Sequence, residues 1–125
     1  MKPYYYIAEV VSVYDGDTIT CNVDLGFKTF KRVKVRLTGI DTPEIRTRDL
    51  EEKKRGYESR DWLSSQILGK NILLHTQEKG KFGRWLGTIW SLEEENLSEE
   101  NSYNQKLILE GHANPYNGGK RKWTI

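Results

Sequence analysis

The stretch KRVKVRLTGIDTPE, from Lys31 to Glu44, alternates and then breaks. Val33, Val35 and Leu37 fall on one side of an extended chain, so Arg32, Lys34 and Arg36 share the other. This pattern predicts a half-buried strand over Lys31–Leu37, ended by a turn from Gly39 to Pro43. Three cations on one strand face repel one another, which is a heavy load for a purely structural feature. The pattern upstream is of the same kind. Residues from Ile7 to Asp15 are β-rich, Asp15-Gly16-Asp17 reads as a turn, and Thr18–Val23 alternates with Ile19, Cys21 and Val23 facing a core. Asp24-Leu25-Gly26 is a second turn signal.

Downstream, the charged stretch from Ile45 to Lys54 reads as a surface loop. A helix is predicted from about Gly56 to Leu68, with Trp62, Leu63 and Ile67 inward and Gly69 as its C-terminal stop. Asn71–Thr76 and Trp85–Trp90 read as two further strands, joined by a polar loop that holds Lys79, Lys81 and Arg84. The EEENLSEE stretch at 93–100 reads as a solvated loop, after which Asn101 is expected to cap a second helix carrying Leu107 and Ile108 and ended by Gly111. Five short strands with glycine turns and two helices to one side suit an α+β domain built on a small closed barrel.

The 125 residues suit one domain over residues 1–125, with one core. No apolar run approaches the length of a membrane span, and Met1-Lys2-Pro3 shows no apolar leader, so a cytoplasmic protein without membrane attachment is expected, or a secreted one if a leader has been removed. A monomer is expected. A single cysteine, Cys21, excludes an internal disulfide, and with only His75 and His112 beside it a zinc site is poorly supplied. Any metal should be a hard cation on carboxylates. The net charge is +2, but residues 93–100 hold five acids, which leaves +7 on the rest of the chain. That excess favours a polyanionic partner.

Five residues could do chemistry together: Asp15, Asp17, Arg36, Asp41 and Glu44. The acids lie in the two turns that bracket the strand pair, so both turns can open at one end of a barrel and bring Asp17 and Asp41 together. Carboxylates with a backbone carbonyl and waters make a Ca²⁺ site. Arg36 has the planar fork that suits phosphate, and Glu44 could orient or deprotonate a water. Taken singly, each acid reads as turn chemistry and Arg36 as a solvated strand residue. His75 has no evident partner, His112 reads as a cap or surface residue, and Trp62 and Trp90 read as core.

Taken in order, Asp15-Gly16-Asp17-Thr18, Val35 through Glu44, and Lys81-Phe82-Gly83-Arg84 resemble the staphylococcal nuclease (thermonuclease) family, and the resemblance extends over roughly residues 7–116. It implies a five-stranded OB-fold barrel with two or three peripheral helices. It also implies a Ca²⁺-dependent endonuclease that cuts DNA and/or RNA with little sequence preference, leaving 5′-hydroxyl and 3′-phosphate ends. By matched position, Asp17, Asp41 and the Thr42 carbonyl would hold the calcium, with Asp15 nearby. Arg36 and Arg84 would bind the attacked phosphate, Glu44 would act on the water, and Lys81, Phe82 and Tyr116 would contact the nucleic acid.

The chain departs from the family pattern in places. Phe82 stands where tyrosine is common, and Trp85 follows Arg84 where a small residue is usual, which would narrow that side of the site. Gly118-Gly119 argues against a third, C-terminal helix, and the Lys120-Arg121-Lys122 tail reads as a solvated basic end. Two other readings stand beside an active nuclease: a catalytically silent OB-fold module that binds nucleic acid, and a small interaction domain that does not. A silent copy would be expected to lose ligands or arginines, and here all five of Asp17, Arg36, Asp41, Glu44 and Arg84 are present.

Overall fold

The alternation of the sequence closes into a barrel in the computed structural model, which describes residues 4–116. In chain order, β1 (Tyr5–Asp15), β2 (Thr18–Asp24) and β3 (Phe30–Leu37) form an antiparallel meander, and β4 (Ile40–Asp41) follows. Helix α1 (Leu50–Ile67) leads into β5 (Asn71–Lys79) and β6 (Trp85–Ser91). A 3₁₀ turn at Glu99–Asn101, α2 (Tyr103–Leu109) and β7 (Asn114–Pro115) complete the described chain. The barrel order is β1-β2-β3-β6-β5, and β5 pairs back onto β1. This is the five-stranded OB-type α+β architecture that the pattern implied.

The core is the inward face of the alternation. Val10, Ile19, Cys21, Val35, Leu74 and Ile89 are fully buried, and Leu63 and Ile67 of α1 and Leu107 of α2 plug the barrel from outside. Burial pushes the Cys21 thiol up to about 12, so it packs as a small hydrophobe and is inert as a nucleophile.

The weakest seam is the parallel pairing of β3 with β6, which runs over three residue pairs from Val35↔Trp85 to Leu37↔Gly87. One buried side chain secures it. Asn104 donates to the Thr38 and Gly87 carbonyls at 2.9 and 3.0 Å and accepts from the Ile89 amide at 3.1 Å. A buried amide side chain with three backbone partners is fully employed.

Several elements differ from the sequence reading. The helix begins at Leu50, where a loop was expected, because Asp49 accepts from the Glu51 and Glu52 amides and those two acids favour the first turn. Gly69 ends it as expected, at φ +76°. The second helix is capped by Ser102, whose hydroxyl accepts from the Gln105 amide, and not by Asn101. The last residues of the acidic stretch, Glu99 and Glu100, enter the 3₁₀ turn. The Gly39–Pro43 turn contains β4, paired with β7 through Ile40↔Pro115 and Asp41↔Asn114. His75 does have a neighbour, the Tyr5 ring at 4.4 Å. The expected basic tail and the question of a third helix lie outside the described residues.

Candidate active site

The site is built where two turns meet. Gly16 sits between β1 and β2, and a Cβ there would lie 2.8 Å from both Ser59 Cβ and Thr42 Cγ2. Only glycine lets this turn dock so closely on α1 and the segment after β4. So docked, Asp17 Oδ2 accepts from the Thr42 amide at 3.1 Å, while Thr18 Oγ1 donates to Asp17 Oδ1 at 3.1 Å.

Arg36 projects from the polar face of β3, opposite Thr18. Its guanidinium spans Asp17 and Asp41, 3.4 Å from a carboxylate oxygen of each, and donates to the Leu37 carbonyl at 2.9 Å. Asp17 and Asp41 thus converge as the turn geometry suggested, and both are buried.

Burial chiefly, and then the adjacent Asp17 carboxylate, pushes the Asp15 carboxyl up to about 7. Burial would also raise Asp17. It is outweighed there by the hydrogen bond from Asp15, by the Arg36 guanidinium and by bonds from Thr42, which together hold Asp17 below the usual carboxylate range. Below neutral pH the two acids therefore divide their roles: Asp15 keeps its proton while Asp17 is charged.

These groups floor a cleft of about 810 Å³. Glu44 lines it beside Asp41 and Thr42, on backbone held from behind by α1: its amide donates to Glu52 Oε2 at 2.9 Å. Gly56 of α1 allows this approach, since a Cβ there would lie 2.8 and 2.9 Å from the Glu44 and Pro43 carbonyl oxygens. Across the cleft, Arg84 donates to Thr18 Oγ1 at 3.2 Å and lies 5.9 Å over the Phe82 ring. Lys81 and Phe82 line the rim, and Phe82 is 82% exposed. Tyr116 closes the last side, its amide bonded to the Gly39 carbonyl at 2.8 Å and its ring 5.7 Å from the Arg36 guanidinium.

Every residue singled out from the sequence for this site lines the one cleft. Trp85 does not narrow it, because it is held in register between Val35 and Lys79 and lies outside the lining. The close packing at Gly16 and Gly56, and the pairing of Thr18 with Arg84, are not evident from the sequence. Turn glycines are common, and nothing local marks those that a distant element touches. The His112 ring lies 5.7 Å from the Trp62 ring and tilted to it by 34°, away from the cleft.

The donors suit a hard cation. Two buried carboxylates, Asp17 and Asp41, line the cleft beside Thr42, and the donors they offer are oxygens. Among the described residues no group of three or more His, Cys, Asp or Glu side chains is gathered as a cage, so any ion would need backbone and water oxygens as well. That fits a cation tolerant of mixed, flexible coordination.

The fold and the cleft define a small OB barrel with an acid-and-arginine site where β2 begins and β3 ends. The chain belongs to the family described as staphylococcal nuclease homologues, whose model matches residues 34–123. It is 32% identical over 107 residues to the thermonuclease of Staphylococcus hyicus, covering 84% of this chain and 56% of that protein. It is 33% identical over 107 residues to a protein of Haemophilus influenzae named an uncharacterized endonuclease (86% of this chain, 51% of that protein). With an uncharacterized protein of Methanocaldococcus jannaschii it shares 27% identity over 132 residues (90% and 60%). The chain thus spans between half and three fifths of the length of these relatives. Among the described residues no helix is long and apolar enough to cross a membrane.

Proposed function

We propose that this chain is a Ca²⁺-dependent endonuclease acting on DNA and/or RNA, with its catalytic groups within the single domain described above. The observation that carries this reading is Arg36 spanning Asp17 and Asp41 at 3.4 Å on the floor of a cleft that also holds Glu44 and Arg84. Membership of the nuclease family and the thermonuclease and endonuclease names of its relatives support it.

In this reading Asp17, Asp41 and the Thr42 carbonyl hold the calcium, and Asp15 keeps the Asp17 carboxylate oriented. When bound, the ion supplies positive charge beside the attacked phosphate. Arg36 turns its fork from the two aspartates toward one phosphate oxygen pair, and Arg84 approaches from the opposite wall. Each donates to oxygens that gain charge as the fifth bond to phosphorus forms, where such donors matter most. Glu44 takes a proton from the attacking water. As the water oxygen bonds to phosphorus the bond to the 5′ oxygen breaks, and that oxygen takes a proton from solvent in the open cleft, giving 5′-hydroxyl and 3′-phosphate ends. Lys81, Phe82 and Tyr116 grip the flanking chain by charge and ring faces, which read no base sequence.

A plasmid-digestion assay with Ca²⁺, with Mg²⁺ and with chelator tests the reading. Nicking that needs Ca²⁺ and is poor in Mg²⁺ is the expected outcome, since a site of turn carboxylates and a carbonyl lacks the rigid octahedron that Mg²⁺ demands. Full digestion in chelator would reject the metal, and binding without digestion in any of the three would favour a silent binding module.

A further inference from the structure

A second cleft, of about 840 Å³, opens beside the first and shares Tyr14 and Arg84 with it. Its charge is one-sided. Lys34, Arg46, Lys53, Arg60 and Arg84 line it, and no Asp or Glu does. They come from four separate places, namely β3, the segment before α1, α1 itself and the loop before β6, so no single solvated helix face accounts for them. Arg60 shares its charge with Asp61 at 3.0 Å. Among the described residues no ion pair engages the other four. Like charges drawn around one concavity cost stability unless an anion enters it.

Two features specify the anion. Lys34 and Arg36 stand two residues apart on the same face of β3, which at about 3.3 Å per residue sets their Cα atoms about 7 Å apart. A polyanion with regularly spaced charges can therefore run along this strand from one cleft to the other. The cleft also has aromatic surfaces: Tyr14 is 54% exposed, and Arg60 lies 4.6 Å over the Tyr57 ring to make a flat platform. Such surfaces stack bases that are not paired in a duplex. Thr20 of β2, opposite Lys34, adds a small polar floor on the β2–β3 face by which OB barrels take oligonucleotides.

We infer that the second cleft is an extended binding track for single-stranded nucleic acid, which holds the strand beyond the phosphate at Arg36 and Arg84. This rests on the nuclease reading for its direction, and it makes the substrate class an unpaired strand several nucleotides long. A dinucleotide fills the first cleft alone, whereas a dodecamer reaches Lys34 and Lys53.

The test is fluorescence anisotropy with labelled dodecathymidylate and labelled thymidine dinucleotide, in chelator so that nothing is cut. Lys34→Gln/Lys53→Gln should bind the dodecamer about 25-fold more weakly at ~0.1 M salt, with a salt slope smaller by about 1.4, since each lost single-strand phosphate contact removes about 0.7. Dinucleotide affinity should be unchanged, as should dodecamer binding by Lys28→Gln/Lys70→Gln, which removes an equal charge from exposed positions off both clefts. In calcium, the double variant should raise KM for the dodecamer and leave kcat. Dodecamer binding that ignores Lys34 and Lys53, or falls as much with Lys28→Gln/Lys70→Gln, overturns the track even in a protein that cuts DNA. A protein that binds by this pattern yet cuts nothing leaves the track standing and removes the nuclease reading.

Discussion

Arg36 meets Asp17, Asp41, the Leu37 carbonyl and the Tyr116 ring, and its contacts set what a substitution should do. Lysine keeps the charge but not the fork, so Arg36→Lys and Arg84→Lys should each slow cleavage roughly 100- to 1,000-fold, the usual loss for one transition-state donor. Their circular dichroism should be unchanged, and near-normal turnover in a folded Arg36→Lys protein would leave this arginine only balancing Asp17 and Asp41. Glu44 separates two roles. As the base, Glu44→Gln should lower kcat by roughly 100- to 10,000-fold with calcium affinity by calorimetry little changed. Rescue of that variant by excess calcium would make Glu44 an anchor of the ion instead. At this scale the sequence was highly legible, because strand alternation alone puts Arg36 on the polar face and turn composition places the acids. The Asp15–Asp17 division of charge was not legible, since it depends on burial.

Among the elements, α1 is the one whose reach the sequence hid. Its first six residues, Leu50 to Arg55, are almost all charged and show no apolar stripe, so periodicity places the start at Gly56. What starts the helix is the Asp49 cap, and what the early turns do is hold Glu44 through Glu52 and Gly56. Gly56→Ala should therefore act on catalysis as well as stability. The new methyl would press on the Pro43 and Glu44 carbonyls, costing about 1–3 kcal/mol in chemical denaturation, as overpacking does. It should also lower kcat, because the Glu44 backbone must shift. Loss of stability with kcat intact would show that the Glu44 carboxylate is positioned independently of α1. The short β4–β7 pair escaped the reading for a simpler reason, as two residues are too few to show a period.

The whole barrel gathers acids at one end, so an ion bound there should stabilise the fold as well as serve the chemistry. At calcium one hundred times its dissociation constant, unfolding should be harder by about 2.7 kcal/mol. Calorimetric melting with and without calcium reads this in the absence of substrate, and an unchanged Tm at saturating calcium would count against Asp17 and Asp41 as ligands. The strand order was legible as far as the β1–β2–β3 meander, because those pairings are local. The return of β6 to lie parallel with β3 was not, being fixed by Asn104 from far along the chain. That seam has a consequence for how the protein breathes. Arg36 is carried by β3 and Arg84 stands just before β6, so the two line one cleft only while Asn104 latches the seam shut. Partial opening there would part the two arginines before the core is exposed, and, if they grip phosphate as proposed, loss of activity on warming would run ahead of global melting, with the Ile89 amide exchanging its proton early.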